Sequence, residues 1–292
     1  MGDSIEQAVE RAILTMQRNL GDQLTVDDIA RSALFSKFHF TRIFQRTTGV
    51  SPGRFLSALR LQRAKELLVS TSLNVADISL RVGYSSVGTF SSRFSRSVGM
   101  SPTTYRRHAG FASHIPTGAD QGTASTASVH ARIWPACAQP AGLVFAGLFP
   151  NPIPEGRPVR CAILPRPGAV RFDNVPDGEW FLLAHSVTGD PCRLPTDDQQ
   201  TSVATKGPLS VGKDSVVRTE TWLQPARVLD PPVLLALLDV RKLALATVAE
   251  EQPRTPVSFP AAIRPAQHSG NRPTDPSVDP APGRLVSDRT AA

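Results

Sequence analysis

Residues 73–102 read LNVADISLRVGYSSVGTFSSRFSRSVGMSP, and a copy of this stretch stands earlier in the chain, where residues 24–52 read LTVDDIARSALFSKFHFTRIFQRTTGVSP. The two copies share their apolar spacing, and both end in Gly-x-Ser-Pro. The later copy has one extra residue between Ser85 and Phe90, at the start of its second predicted helix. A repeat of this length indicates one supersecondary unit that is used twice.

Each copy predicts two short helices joined by a tight turn, which is the helix-turn-helix shape. In the first copy, Thr25 is the expected N-cap of a helix over residues 26–33, and a second helix covers residues 37–47. In the second copy Gly83 suits the left-handed conformation that such a turn requires. Leu34 occupies this position in the first copy, so that turn either carries strain or bends differently.

Three further helices complete the predicted all-α domain. The first covers residues 4–19 behind a cap at Ser4, and the last follows Pro102. A longer helix over residues 52–69 joins the two copies; its length of about 26 Å can hold two groove-reading helices about one DNA turn apart. The cationic side chains of this joining helix are expected to face solvent: Arg54, Arg60, Arg63 and Lys65.

Positive charge is concentrated in the segment that carries the repeat. The whole chain has a formal net charge of +7, and residues 1–110 alone hold 15 Lys and Arg against 8 Asp and Glu, so the remainder is neutral. A basic module joined to a neutral one favours a polyanion such as nucleic acid as the partner of the first. A merely soluble basic surface is the alternative.

The second helix of a helix-turn-helix unit enters the major groove with its N-terminal half, so its outward side chains are the candidates for DNA contact. Arg42 is the candidate for a bidentate bond to guanine, Thr41 for a hydrogen bond to a base edge or contact with a thymine methyl group, and Phe38 for apolar contact with thymine methyl groups. The second copy offers smaller side chains, and we expect it to discriminate less between DNA sequences. The predicted DNA-binding residues are Ser36, Lys37, Phe38, His39, Thr41, Arg42, Arg46, Ser85, Ser86, Gly88, Thr89, Ser92, Arg93 and Arg96. Those expected to contact phosphate alone are Ser36, Arg46, Ser85 and Arg96.

Residues 6–108 resemble the DNA-binding domain of the AraC/XylS family of bacterial transcription regulators. The resemblance is carried by the two Gly-x-Ser-Pro endings, by residues 60–68 (RLQRAKELL) and, most specifically, by residues 75–106. It implies a monomer that contacts two successive major-groove segments on one face of double-stranded DNA. It also implies control of transcription at a promoter, by activation or by repression, with RNA polymerase as a further partner.

Proline marks a change of structure after the repeat, because 24 of the 26 prolines follow residue 110. We predict a DNA-binding domain at residues 4–109, a linker at 110–140, a small mainly-β, sandwich-like accessory domain at 141–250 and a disordered tail at 251–292. The predicted strands cover residues 143–149, 159–164, 170–172, 180–187 and 215–223.

Two finer predictions concern the accessory domain. In the strand over residues 159–164, Val159, Cys161 and Ile163 are expected on the buried side. Residues 231–250 are expected to form a helix that begins behind Asp230, and one strand followed by a helix is the alternative. Residues 167–182 weakly resemble the carboxypeptidase-regulatory-like β-sandwich.

The accessory domain shows no catalytic motif, and we expect a regulator without enzymatic activity, cofactor or metal ion. Cys161, His185 and Cys192 lack the spacing of metal ligands; Cys161 is expected in the core and His185 at the surface. Trp180, Phe181 and Trp222 are expected in the core rather than around a ligand pocket. The domain is expected to sense a small-molecule effector or to mediate assembly. The alternatives are a DNA-tethered module that binds carbohydrate or protein, and a redox regulator that uses its thiols.

The sequence also predicts a cytoplasmic protein with no membrane partner. Its three cysteines are sparse, the N-terminus is acidic without an apolar core, and the longest apolar run, residues 233–238, is far too short to span a bilayer. The oligomeric state stays open.

Overall fold

The computed structural model describes residues 2–112, 125–135, 142–187 and 201–238, in which a helical region precedes a strand-rich one. The helices are α1 (Gly2–Arg18), α2 (Val26–Ser32), α3 (Lys37–Thr48), α4 (Pro52–Ser70), α5 (Val75–Arg81), α6 (Val87–Val98) and α7 (Pro102–Arg107). The strands are β1 (Phe111–Ala112), β2 (Ser128–Pro135), β3 (Val144–Phe149), β4 (Arg160–Leu164), β5 (Ala169–Phe172), β6 (Gly178–Val187), β7 (Thr201–Val211), β8 (Val216–Pro225) and β9 (Leu237–Leu238). No helix in these ranges is both long and apolar enough to cross a membrane.

The doubled helix-turn-helix is confirmed: α2 and α3 form the first unit, α5 and α6 the second, and α4 joins them. Thr25 caps α2 as predicted, because its hydroxyl accepts a hydrogen bond from the Asp28 amide at 3.2 Å while the Asp28 carboxylate accepts from the Thr25 amide at 2.9 Å. The pKa of Asp28 is lowered mainly by the hydrogen bond that the Thr25 hydroxyl donates to its carboxylate at 2.6 Å, and further by the Thr25 amide and by Arg31. Helix α1 begins at Gly2, so Ser4 is not its cap.

Three aromatic rings at equivalent positions form the core of each unit. In the first unit, Phe40, Phe44 and Phe55 lie with successive ring centroids 5.4 Å apart. The second unit repeats the arrangement with centroids 5.6 Å apart, through Phe90, Phe94 and Tyr105. The repeat in the sequence is therefore a repeat of packing, which fixes the outward face of α3 and of α6 in the same way.

The two turns bend alike although their residues differ. Leu34 has φ 62° and Gly83 has φ 83°, so both are left-handed. In both units the amide that follows donates back across the turn, from Phe35 to Ala30 at 3.0 Å and, equivalently, from Tyr84 to Ser79 at 2.9 Å. Of the two possibilities for Leu34, the structure shows the strained backbone rather than a different bend.

The extra residue of the second copy lies in the turn and not in the helix. Helices α3 and α6 are both 12 residues long and begin directly after Ser36 and Ser86. Ser86, rather than Ser85, is therefore the counterpart of Ser36.

The strands β2 to β8 form one seven-stranded sheet in the order β4-β3-β6-β7-β8-β2-β5. Only β2 and β8 pair in parallel within it, and the edge strands β4 and β5 contact each other, so the sheet is a nearly closed barrel. This corrects the sandwich-like prediction. Alternating side chains show which face of a strand is buried, but not whether that face meets a second sheet or the far side of its own.

Two strands and one helix depart from the sequence prediction. Strand β2 lies inside the predicted linker, with Val129, Ala131 and Ile133 in the barrel core, and β7 was not predicted. Residues 231–236 are not helical, because a second proline, Pro232, disfavours a helical conformation at Pro231. Residues 239–250 and the predicted tail lie outside the described residues.

Val159, which directly precedes β4, is buried as predicted, but within β4 the buried side is opposite to the prediction. Ala162 and Leu164 pack against the barrel core, whereas Ile163 is exposed and Cys161 is half-buried.

Segments that connect or follow the strands pack into the hydrophobic core of the helical region, whereas the sheet has a core of its own. Ile153, Leu229, Leu234 and Ala236 are buried in the same cluster as the aromatic rings of the helices. Lys65, expected in solvent, is buried, and its ammonium group donates to the carbonyls of Val233 at 2.9 Å and Leu235 at 3.3 Å. Arg54 and Arg60 are half-buried, and of the four cationic residues only Arg63 is exposed as predicted.

Candidate nucleic-acid interface

Helix α3 presents an exposed polar and cationic face on its N-terminal half. Lys37, Phe38, His39 and Arg42 are exposed, and Phe38 is 87% exposed although it is apolar. An unpartnered phenylalanine on the outward side of such a helix is suited to contact with thymine methyl groups. Thr41 is half-buried, and its hydroxyl donates to the carbonyl of Lys37 at 2.8 Å within the helix.

The flanks of α3 carry the side chains expected to contact phosphate. Ser36 is the N-cap residue by position, but its side chain makes no capping bond, and Arg46 is exposed in the last turn. Lys37 lies 3.5 Å from the Asp27 carboxylate, in an exposed pair that contributes little and leaves the ammonium group available.

Helix α6 presents a smaller surface at the equivalent place. The exposed residues predicted here are Ser85, Ser86, Gly88, Thr89, Ser92 and Arg96. The Ser86 hydroxyl accepts from the Thr89 amide at 3.4 Å and so caps the helix. Sequence reasoning passed over Val87 on this face and Gln45 on α3, which are also exposed. Both lie about one helical turn from residues predicted to contact DNA, and this spacing could have indicated that they share the exposed face.

Arg93 does not lie with this set. Its side chain is only 28% exposed; Nη2 lies 3.2 Å from the Glu155 carboxylate, and Nε donates to the Ser57 hydroxyl at 3.3 Å. The helical phase explains the difference, because Arg93 corresponds to Ile43, which is buried in the first unit. The prediction placed it outward because arginine is usually exposed.

Behind the end of α3 lies a cavity of about 730 Å³ between the helices and the outer face of the sheet. Thr48 and Gly49 line one side, and Leu183, His185 and Trp222 line the sheet side. His185, expected at the surface, is buried; this burial, together with the charge of Lys65, lowers the pKa of His185 to about 4. Burial lowers the pKa of Lys65 to about 8.

The aromatic residues of the sheet divide between core and surface. Trp180 packs against the barrel core and Phe181 against a smaller cluster on the outer face, whereas Trp222 is 51% exposed. Trp222 is aligned with Trp134 on the neighbouring strand β2, and Arg132 lies 4.9 Å above the Trp134 ring.

The alternative of a redox regulator that uses its thiols can be examined only at Cys161, because Cys137 and Cys192 lie outside the described residues. Burial raises the pKa of Cys161, which disfavours the reactive thiolate. Nor do the described residues contain a group of three or more His, Cys, Asp or Glu that could hold a metal ion.

Comparison with known proteins identifies the family of the helical region. A family model described as "Helix-turn-helix domain" matches residues 10–108. The HTH-type transcriptional activator AarP of Providencia stuartii is 32% identical over 98 residues, which cover 34% of this chain and 73% of AarP. The chain belongs to the AraC family.

Other members of the AraC family also match over about a third of this chain. The lactose operon transcription activator of Staphylococcus xylosus is 31% identical over 106 residues, 36% of this chain and 38% of its own length. A solved AraC-type DNA-binding regulator from Chromobacterium violaceum is 31% identical, with 36% of this chain and 93% of that one covered and a TM-score of 0.35. The DNA-binding domain of AdpA, solved with a target DNA, is 28% identical, with 34% and 90% covered and a TM-score of 0.33.

Proposed function

We propose that this chain is a transcription regulator that binds double-stranded promoter DNA by placing α3 and α6 in two successive segments of the major groove. The observation that carries the proposal is the repeated aromatic core, which turns the same face of both helices outward. The excess positive charge of the helical region supports it, because phosphate neutralisation supplies much of the affinity for DNA. The names of relatives, two of which are called transcription activators, support a regulatory role. A non-enzymatic action in the bacterial cytoplasm, with RNA polymerase as a partner, is part of the same proposal.

The two helices contribute unequally in this proposal. Lys37, Phe38, Thr41 and Arg42 on α3 can form bidentate, hydroxyl and apolar contacts with base edges. Helix α6 offers hydroxyl groups and Gly88, which fit a groove closely but form few base-specific bonds. We therefore assign most of the sequence discrimination to α3, and assign phosphate contacts to Ser36, Arg46, Ser85 and Arg96.

Arginine replacements test this division. Arg42→Ala should cost about 1–3 kcal/mol and relax the preference at one base position. Arg96→Ala should weaken binding to all sequences alike and lower the slope of log affinity against log salt by about 1. The measurement is fluorescence anisotropy with a site selected from random DNA and with an unrelated duplex. Arg218→Ala, which removes an exposed charge from β8, is the control for net charge.

Equal loss of affinity for the selected and the unrelated duplex would remove the base-contact role of Arg42. Failure of the wild-type chain to select any DNA sequence would overturn the proposed function itself.

The accessory barrel has a second proposed role, which is to sense a small molecule. The cavity beside α3 favours it, since its volume of about 730 Å³ lies within the usual range of ligand sites and such sites are common between domains. Trp222 and Leu183 supply apolar surface, His185 is neutral at pH 7, and the charges of Arg227 and Asp230 at the cavity pair with each other at 3.3 Å. The chemistry fits an uncharged molecule with a flat ring.

A thermal-shift screen of uncharged aromatic compounds against the full chain tests this second role. A true ligand should raise the melting temperature of the wild type and of Trp134→Ala, but not of Trp222→Ala, because only Trp222 of the two lines the cavity. Compounds that stabilise all three proteins equally would contradict the assignment. In that case the exposed tryptophans would favour a role in assembly, or in binding carbohydrate or protein.

A further inference from the structure

The loop between β3 and β4 sends one nearly buried carboxylate into the helical region. The Glu155 side chain is 12% exposed. Its Oε1 accepts from Arg54 Nη2 at 3.0 Å, and its Oε2 accepts from Arg93 Nη2 at 3.2 Å and from the Ser97 hydroxyl at 2.9 Å. Arg54 belongs to the first turn of α4, and Arg93 and Ser97 lie one turn apart on α6. A single side chain of the barrel therefore joins the helix that connects the two reading units to the reading helix of the second.

The backbone and neighbours of this loop extend the contact to both units. The Gly156 amide donates to the Ser97 carbonyl at 2.8 Å, and Asn151 Oδ1 accepts from Arg54 Nη1 at 3.2 Å. Pro152 lies against Gly49, the residue that ends α3. The loop thus lies across the end of the first reading helix, the start of α4 and the second half of α6.

The internal repeat shows that the second unit differs from the first where the carboxylate arrives. Arg93 stands in place of the buried Ile43 of the first unit. A cation at a position that faces inward is costly unless it is paired and hydrogen-bonded. Glu155 supplies that pairing from the loop between β3 and β4. The second unit therefore binds a carboxylate at a position where the first unit has an apolar side chain.

We propose that Glu155 is a positioning residue for DNA reading: by holding α6 against α4, it fixes the distance and angle between the two reading helices and hence the spacing of the two DNA segments that the chain accepts. The inference rests on the proposed function. It is physically reasonable because α4, of 19 residues and about 28 Å, is the covalent connection between the units, and a change of angle at one end of such a rod moves a reading helix by several ångströms. Since half-site spacing on DNA follows helix geometry, such a shift changes which spacing fits.

The experiment uses the full chain and DNA sites that it selects from a random library. The best selected site is remade with one base pair removed from, or added to, the spacer between its two segments. Affinities for the three sites are measured by fluorescence anisotropy for the wild type, Glu155→Gln and Glu179→Gln, the last being an exposed carboxylate of β6 that serves as control.

We expect the wild type and the Glu179→Gln control to lose at least about tenfold in affinity when the spacing changes, comparable to a mismatched base pair. Glu155→Gln should bind the best site more weakly and discriminate several-fold less between the three spacings. The ratio of affinities is the decisive readout, because a merely structural loss lowers all three affinities together.

An unchanged ratio in Glu155→Gln, with or without a uniform loss of affinity, would overturn the positioning role. If this variant does not fold at the assay temperature, Ser97→Ala removes one hydrogen bond from the same carboxylate oxygen and should lower the ratio in the same direction by less. A wild-type chain that selects no site refutes the proposed function instead, so the two failures are distinguishable.

Discussion

At the scale of single residues, Leu34 shows how the two units tolerate different side chains in the same turn. Its left-handed backbone costs about 1–2 kcal/mol for a residue with a Cβ atom, but its side chain is 86% exposed and meets no obstacle. Gly83 has no such freedom, because a Cβ atom there would lie 2.3 Å from the Leu20 carbonyl and 2.7 Å from Arg60 Nη2. Arg60 itself is held by the Leu20 and Asp22 carbonyls.

Opposite effects are therefore expected from substitutions at the two equivalent positions. Leu34→Gly should raise the free energy of unfolding by about 0.5–1 kcal/mol, since relief of strain exceeds the entropic cost of glycine. Gly83→Ala should lower it by more than about 2 kcal/mol, because backbone and a fixed guanidinium must move. Urea denaturation measures both, and a loss of stability in Leu34→Gly would show that the turn is not strained.

At the scale of elements, the packing of α4 explains why Arg54, Arg60 and Lys65 are at least half-buried although the sequence predicts them in solvent. An amphipathic helix is expected to keep Lys and Arg in solvent, but α4 is covered by both helix-turn-helix units and by the barrel. Nothing in its own pattern reveals the barrel contact, because the partners of Lys65 are backbone carbonyls more than 160 residues away. The helices of the repeat were predictable because the same pattern occurs twice, whereas β2 was hidden by the polar and proline-rich residues around it.

Lys65 on α4 and His185 on β6 are both buried, and the lowered pKa of His185 predicts that stability depends on pH. The pKa of His185 is about 4 in the fold, against an ordinary value of 6.5 in the unfolded chain. Between these values the unfolded chain binds a proton that the folded chain does not, so the free energy of unfolding falls as pH drops from 6.5 to 4, by up to about 3 kcal/mol. His185→Gln should lose less stability over this range in urea denaturation at pH 7, 5.5 and 4.5. Parallel losses in both proteins would show that His185 titrates normally.

At the scale of the whole molecule, the site divides into a part that the sequence predicts and a part that it cannot. The exposed faces of α3 and α6 follow from helical phase within one repeat, so most of the residues predicted to contact DNA are exposed there. Arg93 and Glu155 are 62 residues apart, and their pairing depends on how the barrel packs against the helices. A division of the chain at the predicted linker would miss the residues of the strand-rich region that are buried in the helical core.

Truncation after Ala112 tests how far the helical region depends on the barrel. The fragment should fold, because the helices retain the aromatic core of both units. It should nevertheless be less stable than the same helices in the full chain by about 2–4 kcal/mol, because it loses contacts with Ile153, Leu229, Leu234 and Ala236 and leaves Arg93 without its carboxylate.

Hydrogen exchange of the α6 amides measures the stability of the fragment and of the full chain on one scale. The amides of Phe94 and Val98 should lose the most protection, while those near the start of α2, which the Thr25 capping box holds, should change least. Equal protection of α6 in fragment and full chain would mean that the barrel is attached to the reading units without supporting them, and Glu155 could then not set their spacing.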